Sequence, residues 1–408
     1  MIEITLIRHG ETVANAASVW QGQGDASLSE RGQAQARALG KRLDPSDYDL
    51  VLSSDLVRTL QTCELAGLEP EPDIGWREMN IGEWEGLTRD EVYAAFPGEI
   101  ERMMAGEQVK MGGGETWGAF GARIDDALRL LLARCEDGMK VLVMAHGGVI
   151  HSVLSGRLRF RERGRPWPIE RINNTAVTRL RIGADGFVLD MLNDSSHDTW
   201  DLPTDAPGSI VSLVTHGETK ADGAHPWHHR ADMALSTVGE REAGELAEVY
   251  EWPRPRRIYS SPLERARASA DVYASRHGLG PVVELAGVAE AGVGRWEGLS
   301  LADVEAQYPD EYDAVFRCGV DVPKGGTGER FADVADRMVE AVGEVAGSNP
   351  EGGAVIFTHG SSIWHLAARI FGLSWAEKGH LSPPGALSVA HVRAGAGAPV
   401  LIDYNVTP

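Results

Sequence analysis

The 408-residue chain has only three cysteines, Cys63, Cys135 and Cys318, and no CxxC pair among them. An odd, widely spaced set argues against a disulfide framework and against a cysteine-based zinc site. Cys63 and Cys135 fall in segments with helical patterning, where a buried free thiol acts as a small apolar side chain. Also missing is any apolar run of roughly 18 residues, the length that crosses a bilayer. The chain opens at Met1 straight into an apolar stretch ending at Ile7, with no basic region, long apolar core or cleavage site. A soluble, cytoplasmic protein without a membrane partner is the expectation. Positive charge is scarce as well: 39 Lys and Arg stand against 60 Asp and Glu, for a net charge of -21. A surface that acidic repels nucleic acid and anionic lipid. It does not exclude a small anionic substrate, because a pocket can be locally positive.

What is present is a folded composition, 43% hydrophobic and 24% charged, in a chain too long for one ordinary core. An internal repeat accounts for the length. LIRHGET (6–12) returns as LVTHGET (213–219), which puts His9 and His216 207 residues apart. The same offset links Trp20 to Trp227, Asp25 to Asp232, Leu28 to Leu235 and SSDLVR (53–58) to SSPLER (260–265). It grows to 212 where REMNIGEWEGL (77–87) meets AEAGVGRWEGL (289–299), and to 213 where MAHGG (144–148) meets FTHGS (357–361). Four ordered blocks at nearly constant spacing mark a duplication of whole domains. The expected organisation is a first domain over 1–201, a Pro- and Gly-containing linker over 202–209, and a second domain over 210–408.

Each half alternates strand and helix signals. Ile2 to Ile7, Leu50 to Leu52 and Lys140 to Ala145 read as buried strands. Ser29 caps a helix without a capping box, since Gly32 stands three residues on. SSDLVRTLQT reads as a helix start, and Trp117, Phe120, Ile124, Leu128 and Leu131 line one helical face. This predicts α/β domains with mostly parallel sheets. Ligands of such sheets gather beyond the strand C-termini, where both Arg8-His9-Gly10 and Ala145-His146-Gly147 fall.

Phosphoryl transfer to a side chain needs a nucleophile, cations on the non-bridging oxygens and an acid for the leaving group. His9 supplies an imidazole, Arg8, Arg58 and His146 supply positive charge, and Glu78 supplies a carboxyl group if its surroundings raise its pKa. LIRHGET, SSDLVRTLQT, REMNIGEWEGLT and VMAHGGVI together resemble the histidine phosphatase superfamily, also called phosphoglycerate-mutase-like, over essentially the whole chain, twice. The resemblance implies two tandem three-layer α/β/α domains. It also implies a phosphohistidine on His9, a phosphate pocket of Arg8, Arg58, His146 and the Gly147 amide, further contacts from Asn15 and Gln21, and Glu78 as proton donor. No metal or organic cofactor is implied, and the partner is a small phosphorylated metabolite. Glu78 is preferred over Glu83 because Glu290 stands at its repeat position while Arg295 matches Glu83; Glu85 and Trp84 read as structural.

The second half keeps His216, Arg265, Glu290 and His359 but replaces Arg8 by Thr215, Asn15 by Asp222 and Gln21 by His228. A weaker, altered or regulatory second site is expected, or a fold retained as an internal pairing partner of the first domain. Whether Arg230 restores a charge there is left to the structure. His225, His228 and His229 suggest zinc only faintly, because Pro226 interrupts them; Arg161, Arg163 and Arg165 read as a solvated loop. Mutases resembling the glycolytic enzyme carry an arginine-rich insertion after the glutamate block. Here Glu99 to Gly114 offers only Arg102 and Lys110, which favours hydrolysis over mutase chemistry.

Overall fold

The computed structural model describes residues 1–160, 168–183, 186–198, 207–220, 230–231, 233–250, 254–395 and 397–407. Two compact units result. One comprises Met1–Arg159, Arg171–Leu189 and Asn193–Asp201, and the other Phe160–Glu170, Asp190–Leu192 and Leu202–Pro408.

In the first half six strands form one sheet: β1 (Ile2–Arg8), β2 (Leu50–Ser53), β3 (Glu71–Pro72), β4 (Lys140–Ala145), β5 (Val177–Gly183) and β6 (Gly186–Asp194), in the order β3-β2-β4-β1-β5-β6. β3, β2, β4 and β1 run parallel, and β5 is antiparallel to β1. Ile4, Leu6, Ile7 and Val141 through Ala145 are fully buried. A near-continuous apolar run is what a parallel strand covered on both faces requires. The second half repeats the plan with β7 (Ser209–Thr215), β8 (Arg257–Ser260), β9 (Val283–Glu284), β10 (Ala354–Thr358), β11 (Val389–Ala394) and β12 (Val400–Leu401), in the order β12-β11-β7-β10-β8-β9. β7 begins at Ser209, so the last residue of the expected linker already pairs with Ala394.

The helices repeat too. Ser29 caps Glu30–Arg42 by accepting from the Gly32 amide, and Ser236 caps Thr237–Val249 by accepting from the Gly239 amide. The helix Trp117–Arg134 buries Phe120, Ile124, Leu128 and Leu131, while Trp117 stays partly exposed with its ring 6.2 Å from that of His151. Trp84 and Trp296 are completely buried, as packing anchors are. Cys63 is buried in the helix Val57–Ala66. Cys135 departs from expectation: it follows the last helical turn as C-cap and is only half-buried, because the chain turns extended there. No helix among the described residues is long and apolar enough to cross a membrane.

Candidate active site

The register of two strands creates the site. β1 and β4 pair in parallel with Arg8 opposite Ala145, so His9 and His146, each one residue beyond its strand, lie side by side. Their ring centroids are 5.2 Å apart, edge to face. The His9 amide donates to the Ala145 carbonyl at 3.1 Å, which extends the ladder to His9. Gly10 then passes so close to Gly32 that a Cβ would stand 2.6 Å from the Gly32 carbonyl oxygen, so only glycine fits the turn.

His9 Nδ1 donates to the Gly10 carbonyl at 2.7 Å. This fixes the tautomer and leaves the Nε2 lone pair free. Burial first, then the Arg58 and Arg8 charges, holds the His9 imidazole well below its ordinary pKa. His146 is depressed by the same means, burial first and Arg58 next. Arg58 Nε donates to His146 Nδ1 at 3.3 Å, so the His146 proton sits on Nε2, a buried donor with no partner among the described residues.

Arg58 enters from the helix that follows β2, the strand beside β4. It is 1% exposed, and burial pulls its pKa down to about 10. Its two terminal nitrogens donate to the Gly24 carbonyl at 3.1 Å and the Gly22 carbonyl at 2.7 Å. Glu85 shapes that loop by accepting from the Gly22 and Gly24 amides at 3.1 and 2.7 Å, a structural role as expected from the sequence, while Glu83 is exposed. Arg8 is anchored at 2.6 Å to the Ile172 carbonyl, and a Cβ on Gly147 would stand 3.5 Å from its Nε.

Thr12 aligns the two amide side chains. Its hydroxyl donates to Gln21 Oε1 at 2.9 Å and its amide to Asn15 Oδ1 at 3.2 Å. With both oxygens engaged, the NH2 groups are the ends left to donate, and Gln21 Nε2 is buried without a partner among the described residues. Glu78 accepts from the Met79 amide at 2.8 Å and from the Gly148 amide at 3.0 Å, at the first turn of the helix Gly147–Leu158. His9, Arg8, Arg58, His146, Gly147 and Glu78 thus form one connected constellation.

Several contributors escape sequence reasoning. Asn174 donates to the His9 carbonyl at 2.9 Å and to Asn15 Oδ1 at 3.4 Å. Arg123 donates to the Gly75, Arg77 and Glu78 carbonyls and pairs with Glu115 through two nitrogens, clamping the loop that presents Glu78. Gly148 is needed for closeness, since a Cβ would stand 2.3 Å from Glu78 Oε1. Only the repeat offers a signal for the clamp: Arg337 and Glu329 rebuild it on the Gly287 and Glu290 carbonyls.

In the second half Thr215 lies opposite Thr358, and the His216 and His359 rings again lie 5.2 Å apart. The polar wiring differs. Arg265 Nε donates to His216 Nε2 at 3.0 Å, on the nitrogen that would have to attack, while His216 Nδ1 is held by the Gly217 carbonyl at 2.8 Å. His359 pairs with the Ser261 hydroxyl at 2.8 Å. Thr215 donates to the Gly385 carbonyl at 2.6 Å and accepts from the Ser388 amide at 2.9 Å. Ser361 occupies the place of Gly148, and its hydroxyl bonds Glu290 Oε1. Arg230 does not restore the lost charge. It donates to the Glu290 carbonyl at 3.0 Å and pairs with Glu329, the position Gln23 holds on the Glu78 carbonyl in the first half.

Asp222, His225, His228, His229 and the run Arg161, Arg163 and Arg165 lie outside the described residues. Among the described residues no group of three His, Cys, Asp or Glu side chains is placed to hold a metal ion.

The histidine phosphatase superfamily (branch 1) profile matches residues 4–195 and again 211–407. A protein named "Probable phosphoglycerate mutase GpmB" from Erwinia tasmaniensis is 32% identical over 212 residues, 48% of this chain and 95% of its own length. Phosphoglycerate mutase-like protein 4 of Arabidopsis thaliana is 31% identical over 207 residues, 48% of this chain and 86% of its own. A mycobacterial glucosyl-3-phosphoglycerate phosphatase structure, 31% identical, covers 44% of this chain and 89% of its own with a TM-score of 0.39. Strand order, paired histidines and two separate profile matches agree, and the chain belongs to the histidine phosphatase superfamily in both of its halves.

Proposed function

We propose that the first half hydrolyses small phosphomonoesters through a phosphohistidine on His9. The observation that carries this reading is the His9 tautomer: Nδ1–H is spent on Gly10, and Nε2 stays unprotonated in a buried ring that lies edge to face with His146 and feels the Arg58 and Arg8 charges. In the first step Nε2 bonds to phosphorus, the bond to the leaving oxygen breaks, and Glu78 gives that oxygen its proton. In the second, Glu78 takes a proton from water as the water oxygen attacks phosphorus. Inorganic phosphate leaves and His9 is regenerated. Arg8, Arg58, the His146 Nε2–H and the Gly147 amide neutralise the phosphoryl oxygens, with Asn15 and Gln21 donating from the side.

Hydrolysis is favoured over mutase chemistry because the stretch 99–114 after the glutamate block offers only two cations, Arg102 and Lys110. Arg102 is paired with Glu107 at 2.7 Å and Lys110 is exposed. The mutase reading is kept because two relatives near 31% identity carry mutase names. The second half serves as a weakened or regulatory site, supported by the Arg265 donor on His216 Nε2 and the engaged hydroxyl of Thr215.

The test is para-nitrophenyl phosphate hydrolysis with EDTA for wild type, His9→Ala, His216→Ala and the double variant. His9→Ala should lose at least about a hundredfold in kcat, as expected for a missing nucleophile, and His216→Ala should keep wild-type turnover. Activity that persists until both are removed would assign catalysis to both halves. An inert wild type that isomerises a phosphoglycerate would put the mutase reading first.

A further inference from the structure

The second half holds a cavity of about 280 Å³, none of whose lining residues belongs to the His216, Arg265, Glu290 and His359 set. Phe316, Arg317, Cys318 and Gly319 line one side, and Trp375, Ala376 and Lys378 line the other. Its volume lies just below the range of drug-sized ligand sites, roughly 300 Å³ upward, and so suits a small molecule. The aromatic wall is rigid. Trp375 is 6% exposed, its indole nitrogen donates to the Val315 carbonyl at 2.7 Å, and its ring lies 6.3 Å from that of Phe316.

Two ammonium groups converge on that ring. Lys378 Nζ is 3.7 Å from the Trp375 centroid and 4.6 Å from that of Trp364. Lys324 Nζ is 4.5 Å from the Trp375 centroid, 5% exposed, with a single long contact of 3.4 Å to the Glu329 carbonyl. Indole faces stabilise a cation only in part. Among the described residues Lys378 Nζ meets no carboxylate, whereas Arg317 is paired with Asp313 and Glu305. Burial first, then the Lys324 charge, brings the Lys378 ammonium down to about 8, so it remains mostly charged at pH 7. Lys324 faces the Asp321, Glu329, Asp333 and Glu290 carboxylates, so Lys378, held among the described residues only by two indole rings, is the cation left uncompensated at the cavity wall. An anion in the cavity compensates it.

We propose that this cavity binds a small aromatic anion, its carboxylate or phosphoryl group on Lys378 Nζ and its flat body against Phe316 and Trp375. The site is independent of the phosphatase reading of the first half, because it shares no residue with the His9 constellation. It gives the second half a ligand of its own even where the His216 pair does no chemistry.

The full chain is titrated calorimetrically with benzoate, phenylphosphonate and inorganic phosphate. Benzoate has no phosphoryl group for the histidine sites to transfer, and the Lys378 variants separate its binding at the cavity from binding elsewhere. It should bind saturably, Lys378→Met should weaken it at least tenfold, and Lys378→Arg should retain it. Para-nitrophenyl phosphate turnover of Lys378→Met should equal wild type, and its near-ultraviolet circular dichroism should match wild type, which certifies the fold around the tryptophans. Benzoate should also slow acetylation of Lys378 by acetic anhydride, read by peptide mass spectrometry against exposed lysines. Benzoate preferred over phenylphosphonate identifies a carboxylate ligand, and the reverse a phosphoryl one. Equal affinity of the aromatic anion in Lys378→Met, no protection of Lys378 by it, no binding of either benzoate or phenylphosphonate, or tight phosphate binding that needs no aromatic body would overturn the proposal. These outcomes are distinct from failure of the phosphatase reading, which is read at His9.

Discussion

At the residue scale, the site depends on where two protons sit. The Gly10 carbonyl holds one on His9 Nδ1, and Arg58 forces the other onto His146 Nε2. One imidazole thereby keeps an unprotonated Nε2 and the other presents an Nε2–H. Because burial, Arg58 and Arg8 depress His9, the proposed nucleophile is protonated only well below pH 6.5. The acid limb of kcat/KM should therefore lie below 6.5, and Arg8→Gln should move it upward by removing one of the depressing charges. Substrate ionisation is common to both enzymes, so identical limbs in wild type and Arg8→Gln would reject the assignment. Glu78 is tested by the leaving group. An alkyl phosphate needs its oxygen protonated, whereas para-nitrophenolate leaves largely unaided. Glu78→Gln should cost roughly 10²- to 10⁴-fold on glycerol phosphate and markedly less on para-nitrophenyl phosphate. Gly148→Ser should act in the same direction, because its Cβ would stand 2.3 Å from Glu78 Oε1. Equal losses on both substrates would remove Glu78 from the acid role.

At the scale of elements, the sequence discloses what is local and conceals what crosses the sheet. His9 and His146 are legible because each follows a short apolar strand, and their proximity follows once those strands pair in parallel. The helical face of Phe120, Ile124, Leu128 and Leu131 is legible from spacing alone. The antiparallel β5 gives no such signal, nor does the side-chain rewiring between halves: Arg58 and Arg265 stand in matching blocks, yet one donates to the second histidine and the other to the first. Nor is the clamp legible, because Arg123 lies 45 residues from the Glu78 carbonyl it holds. That clamp is a positioning device, and its rebuilding by Arg337 marks it as part of the fold's plan. Arg123→Lys keeps the charge and loses the fork that grips three carbonyls and a carboxylate. It should lower stability by about 1.5–3 kcal/mol in urea unfolding. It should also lower kcat on glycerol phosphate with little change in KM, since Glu78 moves and the phosphate pocket does not. A change in KM alone would make the clamp purely structural.

At the scale of the whole molecule, duplication preserved the scaffold and let the polar wiring of the two histidine pairs diverge. Strand order, histidine spacing and the arginine clamp recur, while Thr215 and Ser361 replace the arginine and glycine of the first site. The buried histidines also give the chain a common acid sensitivity, and its sign can be worked out. His9 and His146 have folded pKa values well below the ordinary value, His197 is lowered to about 4 and His365 to about 3, each with burial as the leading cause. Below about pH 6.5 the unfolded chain binds protons at these residues that the folded chain refuses, so acid favours unfolding. Each histidine should remove about 1.4 kcal/mol of stability per pH unit below 6.5, until its own folded pKa is reached. For His197 that window closes near 4 and for His365 near 3. The loss therefore begins above the range where carboxylates such as Glu115 and Glu329, lowered by their arginine partners, protonate. Urea unfolding followed from pH 7 to pH 5 should show a falling midpoint, and His146→Asn should flatten the fall by removing one titrating group. A midpoint that stays level to pH 5 and drops only near pH 4 would mean that carboxylates alone set the acid limit and that the paired imidazoles protonate in place.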